Sequence, residues 1–119
     1  MRRVWTIALV IAVSSSCAPR ACDDRDDRIA RDVELLLGDS KPAADAAHER
    51  LVAYGRPAIV MLESGLYQAE PPGRRRIVRA LVAIGNPEAI PILRHLAEHD
   101  ADEAVRAEAK RGLTALGAP

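Results

Sequence analysis

Leu81-Val82-Ala83-Ile84-Gly85-Asn86-Pro87 repeats an arrangement found thirty residues earlier in Leu51-Val52-Ala53-Tyr54-Gly55-Arg56-Pro57. It returns thirty-two residues later as Leu113-Thr114-Ala115-Leu116-Gly117-Ala118-Pro119. The shared pattern is Leu-x-Ala-apolar-Gly-x-Pro. Glycine accepts the left-handed backbone that closes a helix, and proline fits the first turn of the next because that N–H has no partner there in any case. Each copy therefore predicts the end of one helix and the start of its antiparallel companion.

The flanking residues carry the matching stripes. Ile77, Ala80, Leu81 and Ile84 stand at helical spacing before Gly85, as do Val105, Ala109, Gly112, Leu113 and Leu116 before Gly117. Ala44, Ala47, Leu51 and Tyr54 make a thinner stripe before Gly55. After the prolines, Ile59, Leu62 and Leu66, and then Ala89, Ile92, Leu93 and Leu96, supply the second helices. Residues 67–73, with Pro71-Pro72-Gly73, read as a loop, and Asp100 with Glu103 as a capping box for the last helix. Pro91 is tolerated only near a helix start. No segment alternates as a strand would. An amphipathic helix from Asp26 to Leu37, with Ile29, Val33, Leu36 and Leu37 on its apolar side and Gly38 as its stop, precedes the repeats as a cap. The expected fold is all-α, a short α-solenoid of about two and a half helical hairpins behind an N-terminal capping helix.

Residues 42–119 resemble HEAT-like repeats, in particular the short variety seen in bilin-lyase-type proteins. The resemblance is carried by Gly85-Asn86-Pro87-Glu88-Ala89-Ile90-Pro91-Ile92-Leu93 and by Asp102-Glu103-Ala104-Val105-Arg106 leading into Ala109 and Leu113. It implies a binding or scaffolding module, with the groove lined by the second helix of each pair. It also implies a structural role for Arg106, as a bridge between units. An accessory or chaperone subunit of an enzyme system is the alternative it leaves, and a structural envelope lipoprotein is another.

The N-terminus reads as an address. Met1-Arg2-Arg3 is a positive start, Val4 to Val13 a short apolar run, and Ser14-Ser15-Ser16 small residues before Cys17. A helix needs about twenty apolar residues to span a membrane, so this run is a secretory signal and not an anchor. Ser15-Ser16-Cys17 resembles the end of a bacterial lipoprotein signal, which implies lipidation of Cys17. With Ala18 following, it further implies an outer-membrane lipoprotein facing the periplasm. The alternative is a Cys17–Cys22 disulfide, and the two exclude each other within one chain. The expected division is residues 1–16 as signal, 17–25 as tether and 26–119 as solenoid, with 26–38 the cap and 42–119 the repeats.

Composition narrows function further. Formal net charge is zero, and removal of Arg2 and Arg3 would make the chain slightly acidic, which argues against a nucleic-acid partner. The chain has no Phe, two Tyr and one Trp, so large interface side chains are scarce. No nucleophile–base set is visible for Ser40 or Ser64, and His48 sits among surface charges, so the chain is expected to be no enzyme. His95 and His99 lie four apart without a third metal ligand. Neither a metal nor a cofactor is expected. Arg74, Arg75, Arg76 and Arg79 read as a solvated face. The partner surface is assigned to the second helices, with Val60, Glu63 and Ser64 in one pair and Pro91, Arg94, His95 and Glu98 in the other. Glu63, Arg94, His95 and Glu98 are its principal residues, and the expected partner is another protein. Self-association through the open C-terminal end is a further expectation.

Overall fold

The computed structural model describes residues 21–119, with side chains from Asp24 onward. The signal segment, Cys17 and the side chain of Cys22 lie outside them. Among the described residues the chain forms six α-helices and no strand: α1 (Ala21–Leu37), α2 (Lys41–Tyr54), α3 (Arg56–Leu66), α4 (Pro71–Ile84), α5 (Ile90–His99) and α6 (Glu103–Ala115). A single 3-10 turn, Pro87–Ala89, leads into α5. The fold is the expected all-α solenoid. None of these helices is long and apolar enough to cross a membrane.

The repeated motif does what its chemistry requires. Gly55, Gly85 and Gly117 have φ of 70°, 71° and 72°, and no other described residue has a positive φ. The leucine four places before each glycine lends its carbonyl to the cap. Gly55 N–H donates to Leu51 O at 3.2 Å and Gly85 N–H to Leu81 O at 3.3 Å, while Leu113 O accepts from Ala118 N–H at 2.9 Å. The last of these, with Gly117 N–H donating to Thr114 O, is the double-bonded left-handed cap. The side chains of Leu51 and Leu81 are fully buried, so one residue serves both the cap and the core.

Prolines start the helices. Pro42, Pro57, Pro71 and Pro72 all fall in the first turn of their helices, where the missing N–H costs nothing. The expected loop at 67–73 is therefore shorter: α4 begins at Pro71, and only 67–70 connect it to α3. A Pro-Pro pair breaks a helix from within but is well suited to opening one. Pro91 is the second residue of α5, and the 3-10 turn before it relieves the clash that an interior proline would cause. The last helix is capped by Asp102, whose Oδ1 accepts from Val105 N–H at 3.0 Å, and not by Asp100. Helix α1 starts five residues earlier than expected, inside the segment read as a tether.

Packing departs from the expected hairpins. Helices joined by the Gly-x-Pro turns, such as α2 and α3, meet over little of their length. Close packing lies instead between α1 and α2, α4 and α6, and α5 and α6. So tight a turn keeps helix ends together while the stripes face a common core, formed by Ile29, Leu36, Leu51, Leu62, Ile77, Leu81, Leu93 and Val105 with small alanines between them. The capping helix contributes Ile29, Val33 and Leu36, as expected, and also Asp32, which is 6% exposed. Its Oδ1 accepts from Arg50 Nε at 2.9 Å and Nη2 at 2.7 Å, tying α1 to α2. That hydrogen bond raises the Arg50 pKa further above its already high value.

The arginines of α4 are only in part a solvated face: Arg79 is exposed, while Arg74, Arg75 and Arg76 are half-buried. Arg74 binds Asp100 and Arg79 binds Glu108, while Arg76 Nη1 donates to Leu36 O at 3.0 Å and Gly38 O at 2.8 Å. Arg76 thus satisfies carbonyls at the C-terminus of α1 that its own helix leaves open. Arg75 is less well placed: its Nε lies 3.9 Å from Glu108 Oε2 and has no hydrogen-bond partner. These partners are remote in sequence, which is why the cluster looks like plain surface when read linearly.

Helices α4 and α6 approach at Gly112, where an added Cβ would sit 2.6 Å from Val82 Cγ2. Valine is held to one rotamer in a helix and cannot swing away. Gly112→Ala is expected to destabilise by about 1–2 kcal/mol, overpacking outweighing the gain in helix propensity. Val82→Ala should recover most of that loss in the double variant. Urea denaturation of the two single variants and the double measures it; simple additivity would refute the contact.

Candidate partner-binding cleft

The end of α3, the first turn of α4, and α5 with the loop after it enclose a cleft of about 600 Å³. Its walls are Glu63 and Leu66 from α3, Tyr67 just past its end, Arg74 from α4, and Pro91, Ile92, His95, Leu96 and His99 from α5, closed by Asp100 and Ala101. Helical spacing places these groups. Pro91, His95 and His99 recur every fourth residue on one side of α5, and Glu63 and Tyr67 stand four apart at the end of α3.

The base of the cleft is a built polar joint. Asp100 Oδ2 accepts from Arg74 Nε at 2.9 Å and Oδ1 from Arg74 Nη2 at 3.1 Å, with side-chain exposures of 5% and 19% for the acid and the base. Arg74 Nη1 also donates to Ala69 O at 2.8 Å. Asp100 Oδ1 takes the N–H of Asp102 at 2.9 Å, and its own carbonyl accepts from Arg106 Nη1 at 2.6 Å. Arg106 is thus structural, as its resemblance implied, but within the α5–α6 joint.

The rim is unlike the base. Tyr67 is 87% exposed and Val60 65% exposed, and together with Leu35 they are the exposed large apolar side chains of the described residues. Val60, Glu63 and Tyr67 fall at i, i+3 and i+7, one face of α3. Ser64, beside them, donates its hydroxyl to Val60 O at 3.0 Å. His95 and His99 have ring centroids 5.0 Å apart at 46°, and His99 Nε2 lies 3.6 Å from Glu98 Oε2. No group of three or more His, Cys, Asp or Glu able to hold a metal occurs among the described residues.

Of the expected surface residues, Glu63 and His95 are brought together in the cleft, with Pro91 beside them. Arg94 and Glu98 are exposed on α5 but outside the lining. Tyr67 falls in the segment expected to be a loop, outside the expected surface residues, yet it lines the cleft. The signal was its place four residues after Glu63, in a chain with few aromatics.

A second hollow of about 410 Å³ lies between Leu36, Lys41, Ala44, Asp45, His48, Arg76 and Arg79. Its cations are engaged: Lys41 Nζ is 2.8 Å from Asp45, Arg76 caps α1, and Arg79 binds Glu108. The hydrogen bond from Lys41 holds the Asp45 pKa below its ordinary value. On the flank of α6, burial alone would raise Glu108, but hydrogen bonds from Arg111 and Arg79 outweigh it and lower the pKa.

This is an α-solenoid in which stacked helices enclose one core and leave one rim open. The pattern that defines HEAT repeats matches residues 59–119, more than half of the chain, and the protein belongs to the HEAT-repeat family. HEAT repeats serve in general as protein-interaction scaffolds. No curated protein and no solved structure matches the chain.

Two substitutions test this frame. Asp100→Ala leaves the Arg74 guanidinium largely buried without its counter-ion and is expected to cost about 3 kcal/mol, measured by urea denaturation. A cost no larger than that of an exposed-site control such as Asp39→Ala would contradict the joint. Glu108 has a depressed pKa in the fold, so the stability it adds is present above its unfolded value of about 4.3 and is lost as pH falls through the folded value. The gap in melting temperature between the wild type and Glu108→Gln should accordingly be full at neutral pH and shrink below pH of about 4.

Proposed function

We propose that this protein is a non-enzymatic adaptor, exported and held at a membrane by lipid on Cys17, that receives a segment of another protein along α3 and the α3–α5 cleft. The observation that carries the docking part is Tyr67. A tyrosine 87% exposed at the mouth of a cleft, with Val60 on the same helix face, leaves apolar surface open where a partner can cover it. Tyrosine gives much contact area for little lost side-chain freedom, and it is favoured at interface centres. A stable complex buries on the order of 800 Å² per partner, which the cleft and the exposed face of α3 would have to supply together.

Export and anchoring rest on the charged start, the short apolar run and Ser15-Ser16-Cys17. In a cell with two membranes the expected address is the outer membrane, facing the periplasm. Several acyl chains on Cys17 would hold the protein stably, because a single chain binds only marginally.

Two measurements test the two halves. Mass spectrometry of the N-terminus is expected to find an acylated Cys17 as the first residue; an intact Met1 would end the export reading. A photo-crosslinking side chain at position 67 is expected to trap a specific protein that the same group at Lys110, on α6, does not. Equal trapping at both positions would remove the cleft from the proposal.

A further inference from the structure

Glu63 and Tyr67 form a pair with no task in the fold. Tyr67 continues the helical backbone past the end of α3, with φ −69° and ψ −22°. Its side chain therefore leaves the same face as that of Glu63, their Cβ atoms about 5–6 Å apart. Both residues are exposed, and both line the cleft. Glu63 makes no ion pair among the described residues.

The other charges of the cleft are already answered. Asp100 is consumed by Arg74, and Arg74 by Asp100 and Ala69 O. Glu98 is exposed on α5, outside the lining. Arg94 is exposed but stands outside the lining. What remains unanswered within the walls is one carboxylate, beside one aromatic face, with Leu66, Ile92 and Leu96 as the apolar part of the same lining. A guanidinium or ammonium group fits that pair. It stacks on the tyrosine ring, whose face attracts cations, while a carboxylate within reach binds its N–H groups.

We infer that the cleft recognises a partner segment in which an arginine or lysine stands next to an apolar residue. The cation sits between Glu63 and Tyr67, and the apolar side chain on Leu66, Ile92 and Leu96. Arginine is the better fit, since its flat guanidinium can stack and bind a carboxylate with two N–H groups at once. This inference rests on the cleft being the docking site and adds the chemistry of what docks. An acidic segment is the rival, because it would have to use Arg94 from outside the walls.

Selection of a phage-displayed random twelve-residue library against the full-length chain in detergent tests it. Selected peptides are then made and their affinities measured by fluorescence polarisation against the wild type, Glu63→Gln, Tyr67→Ala and His95→Trp. The last fills the cleft from an exposed position. All three replaced side chains are exposed, so thermal melting should be unchanged in each variant. The expected result is enrichment of arginine or lysine beside leucine, isoleucine, valine or methionine, with about tenfold weaker binding to both Glu63→Gln and Tyr67→Ala. Peptides that are blocked by His95→Trp yet lack a cation, or ignore Glu63→Gln, would overturn the inference and leave the cleft as a docking site. Failure to select any peptide, or selection only of peptides indifferent to His95→Trp and Tyr67→Ala, would take both down.

Discussion

The positive-φ glycines set the register on which the rest of the structure depends. At Gly55 and Gly85 the chain enters a conformation that costs an ordinary residue about 1–2 kcal/mol or more, and it does so at a fixed distance after a buried leucine. Leu51 and Leu81 therefore anchor the core and supply the cap carbonyl together. A helix cut at that point has a defined length, and its stripe has a defined direction. Helical turns resume within two residues, as α3 at Arg56 and as the 3-10 turn at Pro87 that leads into α5, with proline already holding the right φ. The third copy ends α6 one residue earlier relative to its glycine, through the double-bonded cap, with Leu113 partly buried.

Once helix lengths are set, the polar joints of the array and the rim of the cleft take on different work. At the joints, α4 sends Arg74, Arg76 and Arg79 to the α5–α6 joint, the end of α1 and Glu108 of α6. These links join elements remote in sequence, and several lie part-buried, where charge-assisted hydrogen bonds carry more weight than at an open surface. At the rim, α3 and α5 show solvent a tyrosine, a valine and a carboxylate that hold nothing in place.

The legible part of this fold was the part written in local backbone chemistry. Glycine after an apolar residue and proline two places later have meanings that hold without knowing any neighbour, so the helix ends at Tyr54 and Ile84 could be placed. The stripes followed because helical periodicity is local too. What failed was non-local. Arg76 looks like surface charge until Leu36 and Gly38, about forty residues away, are brought to it. Asp100 looked like a cap because a glutamate follows three places on, yet it is turned toward Arg74, and Asp102 takes the cap. Pro71-Pro72 was misread because the pair breaks a helix from inside and opens one from its first turn. Of the cleft, Glu63 and His95 were found from their faces on the second helices. Tyr67 lies in the segment whose prolines read as a loop, and helical turns continue up to it.

The base and rim of the cleft therefore differ in how freely they can change. Asp100 ends α5, binds Arg74, orients Asp102 and, through its carbonyl, holds Arg106. Two of these contacts, those to Arg74 and to the Asp102 N–H, use the carboxylate, so its replacement disturbs the fold whatever the cleft binds. Tyr67 and Glu63 belong to no such network. Surface substitutions away from structural contacts usually change stability by no more than about 0.5 kcal/mol, so the rim is free to suit a partner without refolding the frame. A large side chain that is exposed where the fold does not need it can be covered by a partner at no cost to the frame. Tyr67 meets that description more fully than any other described side chain.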